Sequence, residues 1–121
     1  MRVVTEELGR LLYQDAQLRI VARSALDILL VGEIDVTNSP AVARTLRSSW
    51  HGREPLTVDT GGLTFVDLSG LRVLVMPELP PEQRWIRLTN VTPCQRRLLE
   101  LLGWHPETPR SRSPETPPRS A

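Results

Sequence analysis

Apolar and polar positions divide the chain into short strands and helices. Leu18, Ile20 and Ala22 alternate with Arg19, Val21 and Arg23, the period of a half-buried strand. "LDILLV" is a near-continuous apolar run, as expected of a central strand. Ser24-Ala25 between the two reads as a tight hairpin turn, and Gly32 ends the second run. In "TNSPAVARTLRSSW", Val42, Ala43, Leu46 and Trp50 share one helical face. Pro40 suits the first helical position, where its missing N–H leaves nothing unpaired, with Ser39 as the cap. "HGREP" breaks the helix, and "LTVD" follows as a short buried strand. Gly61-Gly62 reads as a break, its glycines supplying a turn with positive φ before "LTFVD".

Asp67 or Ser69 then opens a short helix, "GLRVLVM", which Pro77, Pro80 and Pro81 end. "WIRLTNV" reads as another strand, with Trp85 or Ile86 facing the core. "TPCQRRLLELLG" carries the fullest set of helix signals. Thr92 caps, Pro93 takes the first position, Gln95 completes a reciprocal capping box and Gly103 stops the helix. Leu98, Leu99, Leu101 and Leu102 are expected to supply its buried face. Strands alternating with helices imply an α/β fold on a mixed sheet with a parallel part. Loops at the carboxyl ends of the parallel strands then gather function, which places the Asp35 loop and the Asp59-to-Ser69 segment there.

The two ends differ from this middle. Residues 1–17 form an N-terminal segment in which Leu8, Leu11 and Leu12 are spaced like a helical face, although Gly9 weakens it. The domain proper spans 18–104. Residues 105–121 are rich in Pro, Ser, Thr and Arg, and are expected to be a disordered tail. "PETP" occurs twice there, at 106 and 114, and reads as low complexity rather than as a docking motif.

Composition narrows the function classes. The chain has 121 residues, the size of one domain with a modest core. Its net charge of +1 is spread along the sequence, so no field for nucleic acid stands out. All 15 basic residues are arginine and they are scattered rather than patched. Cys94 is the only cysteine, which excludes an internal disulfide and a cysteine-rich metal site. No signal peptide is expected from the charged, amphipathic "MRVVTEELGR", and the apolar runs fall far short of the ~20 residues of a membrane span. A soluble, cytoplasmic protein is expected.

The candidate chemistry centres on Ser69, in "DLSG". Asp, Ser and Gly at a strand-to-helix junction are ordinary capping residues. A nucleophilic serine needs a base, yet the only histidines are His51, in a loop, and His105, at the edge of the tail. No G-x-S-x-G elbow is present. "DTGG" lacks the lysine of a phosphate-binding loop, and no dinucleotide fingerprint occurs. Asp35, Asp59 and Asp67 could in principle hold a divalent metal, but aspartates at strand ends usually serve turns and caps. Neither a metal nor a cofactor is expected. A third role for Ser69 is modification. A phosphate there would add about −1.5 to −2 charges at a helix N-terminus whose N–H groups and dipole tolerate them.

"LVGEIDVTNSPAV", "LTVDTGGLTFVDLSGLRVLV" and "RLTNVTPCQRRLLELLGW" resemble, in this order, the STAS domain, and within it the bacterial anti-sigma factor antagonists. The resemblance covers about Leu18 to Trp104. It implies a mixed sheet of about four to five strands, with three or more helices packed mainly on one side. It implies no catalytic activity. In that family the unmodified protein binds an anti-sigma factor that is also a serine kinase with a histidine-kinase-like fold, and a sigma factor is released. The kinase, which brings ATP and magnesium, phosphorylates the serine preceding Gly-Leu; the complex breaks, and a phosphatase resets it. The matching serine is Ser69. The family's aspartates fall on Asp35 and Asp67, and Leu68, Gly70, Leu71 and Arg72 would join Ser69 on the partner-facing start of the second helix.

Three features depart from the family. Leu68 stands where a first serine is common, "MPELPPEQR" replaces a longer helix and a Gly-rich turn, and the tail lies outside the domain. Two other readings follow. An adaptor or scaffold subunit would use Ser69 only as a cap, and a small serine hydrolase would use it as a nucleophile.

Overall fold

A computed structural model describes residues 9–106. Its element order is β1 (Arg10–Gln14), β2 (Leu18–Ser24), β3 (Asp27–Ile34), α1 (Ser39–Ser49), β4 (Leu56–Val66), α2 (Leu68–Val75), a 3-10 turn (Pro81–Gln83), β5 (Ile86–Thr89) and α3 (Pro93–Leu101). The strands lie in the order β1-β2-β3-β4-β5. The first two pairings are antiparallel and the last two parallel, so the sheet is mixed.

The core explains the alternation in the sequence. Leu18, Ile20, Ile28, Leu30, Ile34, Leu56, Val58 and Leu88 are buried, in one cluster with Val42 and Leu46 of α1, Leu71, Leu74 and Val75 of α2, and Leu99 of α3. Successive strand residues point to opposite faces, so this cluster puts all three helices on one side of the sheet. At the amino ends of the parallel strands the Trp50 and Trp85 rings stack with centroids 4.6 Å apart, pinning the end of α1 beside β5.

Several expectations change. Residues 10–14 form a strand, not the helix implied by Leu11 and Leu12; Leu8 lies outside the described residues, as does the tail from 107. A bulge between Leu11 and Tyr13 gives this strand an irregular pattern that mimics helical spacing. The hairpin turn falls at Ala25–Leu26, one residue later than expected. Gly32 does not end β3. It sits inside it at φ 122°, where a Cβ would lie 2.1 Å from the Gln17 carbonyl oxygen.

The Gly-Gly pair does not break the chain either. β4 runs through it, with bulges where Leu29–Val31 of β3 face Asp59–Gly62 and where Gly32–Glu33 face Leu63–Phe65. Neither glycine has positive φ. Gly62 instead permits close approach, since a Cβ there would lie 2.8 Å from the Leu30 carbonyl oxygen.

α3 keeps its expected capping box but not its expected face. Gln95 and Leu99 point inward, Leu102 is half-buried, and Leu98 and Leu101 are exposed. The buried side is thus built on the spacing 95, 99, 102. Gln95 is satisfied there: its Nε2 donates to the Thr60 carbonyl at 2.9 Å, while its Oε1 accepts from the Thr60 hydroxyl at 2.9 Å and the Thr92 N–H at 3.0 Å.

Candidate functional site

Parallel pairing of β3 with β4 builds the site. Ile34 pairs with Val66, so the chain leaves both strands at the same level. The next residues are Asp35 and Asp67, and the Asp67 N–H donates to the Ile34 carbonyl at 3.1 Å. The structure therefore brings Asp35 and Asp67, far apart in sequence, to adjacent positions on one rim.

Each aspartate organises the turn that follows it. The Asp35 carboxylate accepts from the Thr37 N–H at 2.9 Å and from the Thr37 hydroxyl at 2.5 Å. The hydroxyl bond leads in holding its pKa below the usual carboxylate value. The expected cap of α1 was Ser39, but the cap position belongs to Asn38. Asn38 does not bond the helix N-terminus through its side chain. Its Oδ1 accepts from the Asp35 N–H at 2.9 Å, and its Nδ2 donates to Asp15 at 3.1 Å and to the Glu33 carbonyl at 3.0 Å. Asp15 also accepts from the Tyr13 hydroxyl at 2.7 Å and from the N–H groups of Gln17 and Leu18. The Tyr13 bond is the largest cause of its lowered pKa. This network ties the β1–β2 turn to the Asp35 loop. Sequence reasoning missed Asp15, Thr37 and Asn38. Asn at a helix entry is a usable signal, but Asp15 sat in a segment read as helical.

At α2 the choice between two caps is settled by geometry. Asp67 is the N-cap, accepting from the Gly70 N–H at 3.1 Å. Ser69 lies within the first turn, and its hydroxyl donates to the same Asp67 oxygen at 2.6 Å. The carboxylate draws the hydroxyl proton inward, leaving the oxygen lone pairs available on a half-buried side chain.

The remaining expected residues divide by exposure. Leu68 is 56% exposed, and Arg72 is exposed with Glu78 at 3.5 Å. Gly70 and Leu71 are buried, against the expectation that they face a partner. Leu71 belongs to the core. A Cβ on Gly70 would lie 2.6 Å from Val66 Cγ2 and 2.7 Å from Ile34 Cγ2, so Gly70 lets α2 sit down on the strand ends. Two residues that the sequence did not single out join the rim. Val36 is 67% exposed and Phe65 53% exposed, next to Asp35 and Val66 in the chain. Exposed Val36 and Leu68 thus follow the two aspartates directly in the chain, while Phe65 lines a groove with Thr92, Cys94 and Leu98 at the start of α3.

Asp59 is elsewhere engaged. It is buried, accepting from the Gly61 N–H at 2.8 Å, Asn90 at 2.8 Å and Arg23 at 3.0 Å. Burial raises its pKa, but these partners outweigh burial and the net shift is downward. Among the described residues, no three His, Cys, Asp or Glu side chains are grouped to hold a metal ion. No helix of the described residues is long and apolar enough to cross a membrane.

A family model described as "Mlab, STAS domain" matches residues 17–106. The chain belongs to the STAS domain family. No curated protein matches it. Among solved structures this STAS domain is similar to the murine Solute Carrier 26 family member A9 (Slc26a9) anion transporter in the inward-facing state, at 18% identity and a TM-score of 0.47. That similarity covers 84% of this chain and 20% of the transporter chain, so this chain spans about a fifth of its length. The matched family residues contain β2 to α3, and therefore both aspartates and Ser69.

Proposed function

We propose that this STAS domain is an anti-sigma factor antagonist. It binds a kinase-type anti-sigma factor through the Asp35–Asp67 rim, releases a sigma factor, and is switched off when the kinase phosphorylates Ser69. The Ile34–Val66 register carries the reading, because it brings Asp35 and Asp67, followed in the chain by exposed Val36 and Leu68 and by Ser69, to the same end of the sheet. Exposed apolar side chains around a polar switch suit an interface that must form and break. A phosphate of about −1.5 to −2 charges beside the Asp67 carboxylate would turn that surface strongly negative. In this scheme the protein supplies the acceptor hydroxyl and no catalytic group, and a phosphatase restores it in the cytoplasm.

The positions of the histidines support a non-hydrolytic role. His51 lies beside Ala25 and Leu26, and His105 beside Pro55 and Ile86, with the amino ends of the parallel strands. Ser69 lies at the carboxyl ends. A second reading has support from the Ser69–Asp67 bond itself: in an adaptor or scaffold subunit that hydroxyl would serve only the cap. One experiment separates the readings. Binding to a candidate kinase-type anti-sigma factor is measured with and without ATP, with mass spectrometry of Ser69. The switch requires ATP-dependent loss of binding together with phosphate on Ser69. The adaptor requires unchanged binding and an unmodified serine.

A further inference from the structure

A cleft of about 490 Å³ lies at the opposite end of the sheet, beyond the amino ends of β4 and β5. Pro55, Arg84, Arg87, Trp104, His105 and Pro106 line it. Its cation is fixed in place: Arg84 Nε donates to the Leu79 carbonyl at 2.9 Å and Nη1 to the Gly103 carbonyl at 3.0 Å. Two backbone carbonyls thus hold the guanidinium before any ligand arrives, so little side-chain entropy is lost on binding. Trp104 is half-buried, with Arg96 over its ring at 5.9 Å from the centroid. An aromatic ring among prolines, beside a fixed cation, is the chemistry that holds an extended proline-containing peptide with an acidic residue. Glu82, on the same wall, offers a place for a flanking arginine.

The chain carries such a peptide twice. Pro106 begins the first Pro-Glu-Thr-Pro, and the second occupies residues 114–117, with Arg112 before it and Arg119 after it. We propose that the cleft is a docking groove for Pro-Glu-Thr-Pro, and that its occupant is the second copy on this chain. Glu115 meets the Arg84 side, the two prolines lie against Trp104 and the proline rim, and an arginine flank meets Glu82. The first copy begins in the wall itself at Pro106 and is followed by Arg110, whereas the second is flanked by an arginine on each side and has a linker before it. The linker is adequate. Residues 107–113 can span up to about 24 Å at ~3.4 Å per residue. The cost of closing so short a loop grows only with the logarithm of its length. A short linker gives an effective concentration in the mM range, so even a weak contact is occupied. The repeat that reads as low complexity in isolation thereby gains a receptor.

The test uses the full chain. A spin label is placed at Ala121→Cys in a Cys94→Ser background, and NMR relaxation is read at the Trp104 indole and Arg84 Nε–H. The label should broaden both signals at least twofold more than signals of the Asp35 rim. Glu115→Lys combined with Pro114→Ala and Pro117→Ala should cut the broadening to the weaker level that a tethered, undocked tail gives, and shift both resonances. An excess of a synthetic SPETPPRS peptide should then move them back toward their original positions. All three substitutions lie outside residues 9–106, so loss of folding does not enter. Broadening undiminished in the triple variant would overturn the proposal, as would wild-type resonances unaffected by label or substitution. Broadening that disappears on dilution would assign the groove to a second copy and overturn the intramolecular occupant.

Discussion

Replacing Gly70 with alanine tests how α2 is seated. In an exposed helix the change would stabilise by about 1 kcal/mol, because glycine is the poorer helix former. Here the new methyl would lie 2.6 Å from Val66 Cγ2, 2.7 Å from Ile34 Cγ2 and 3.1 Å from Ile34 Cβ. Carbon atoms prefer ~3.5–4.0 Å, so the approach is short by roughly 1 Å. Both neighbours are β-branched with stiff χ1, and Ile34 is fully buried, so neither can swing away. α2 must lift, loosening Leu71, Leu74 and Val75. Overpacking of this kind costs about 1–3 kcal/mol, and the upper end is expected because both clashing groups are rigid. Against the gain in helix propensity, the net loss is about 2 kcal/mol. That lowers Tm by roughly 8–16 °C for a domain of this size. Urea unfolding followed by circular dichroism measures it. Val66→Ala removes one clashing methyl, so Gly70→Ala should cost less in that background. A Gly70→Ala variant as stable as wild type would refute the seating of α2 on the strand ends.

Other expectations follow from the same contacts. Asp67→Ala removes the cap of α2 and should cost about 1 kcal/mol, whereas Asp67→Asn, itself a good cap, should cost less in the same melt. Gln95→Ala takes the Nε2 donor from the buried Thr60 carbonyl and leaves the Thr60 hydroxyl only the Thr89 carbonyl at 3.5 Å, and should lower stability by about 1–3 kcal/mol, against a near-neutral change for exposed Arg97→Ala. Asp15, Asp35 and Asp59 have folded pKa values below their ordinary ones. Their stabilisation is therefore present above the unfolded value of about 3.9 and is lost as pH falls through the lower folded values. Stability should fall on acidification below about pH 4, and less steeply in Asp59→Asn.

What was legible in the sequence followed local rules. The Thr92–Gln95 capping box formed as its spacing required, because both partners lie within one helical turn. The alternation in β2 reported burial directly, whereas the apolar run of β3 buries only Ile28, Leu30 and Ile34, because the helices cover one face of the sheet. What failed depended on partners distant in the chain. Gly61 and Gly62 read as a turn because a glycine pair usually is one; only the approach of Leu30 shows that a strand needs to pass there without a side chain. Four leucines in α3 looked like one face, but the polar Gln95 took a buried place because Thr60 receives it. The same holds for the site. "DLSG" announced a capped helix start, and its resemblance to STAS antagonists pointed to Ser69. The element order already put Asp35 and the Ser69 segment at the same ends of the parallel strands; that Asp35 and Asp67 stand level followed from the Ile34–Val66 register, which no local pattern encodes. That Gly70 and Leu71 would turn inward followed from the same close seating of α2.

In the proposed switch one rim binds a partner and Ser69 controls the binding. Titrating the protein with a kinase-type anti-sigma factor before and after incubation with ATP, in wild type and in Ser69→Ala, reads this out. Wild-type binding should be lost after ATP, with phosphate found on Ser69 alone, and Ser69→Ala should keep its binding throughout. Equal binding before and after ATP, with Ser69 unmodified in both, would contradict the account.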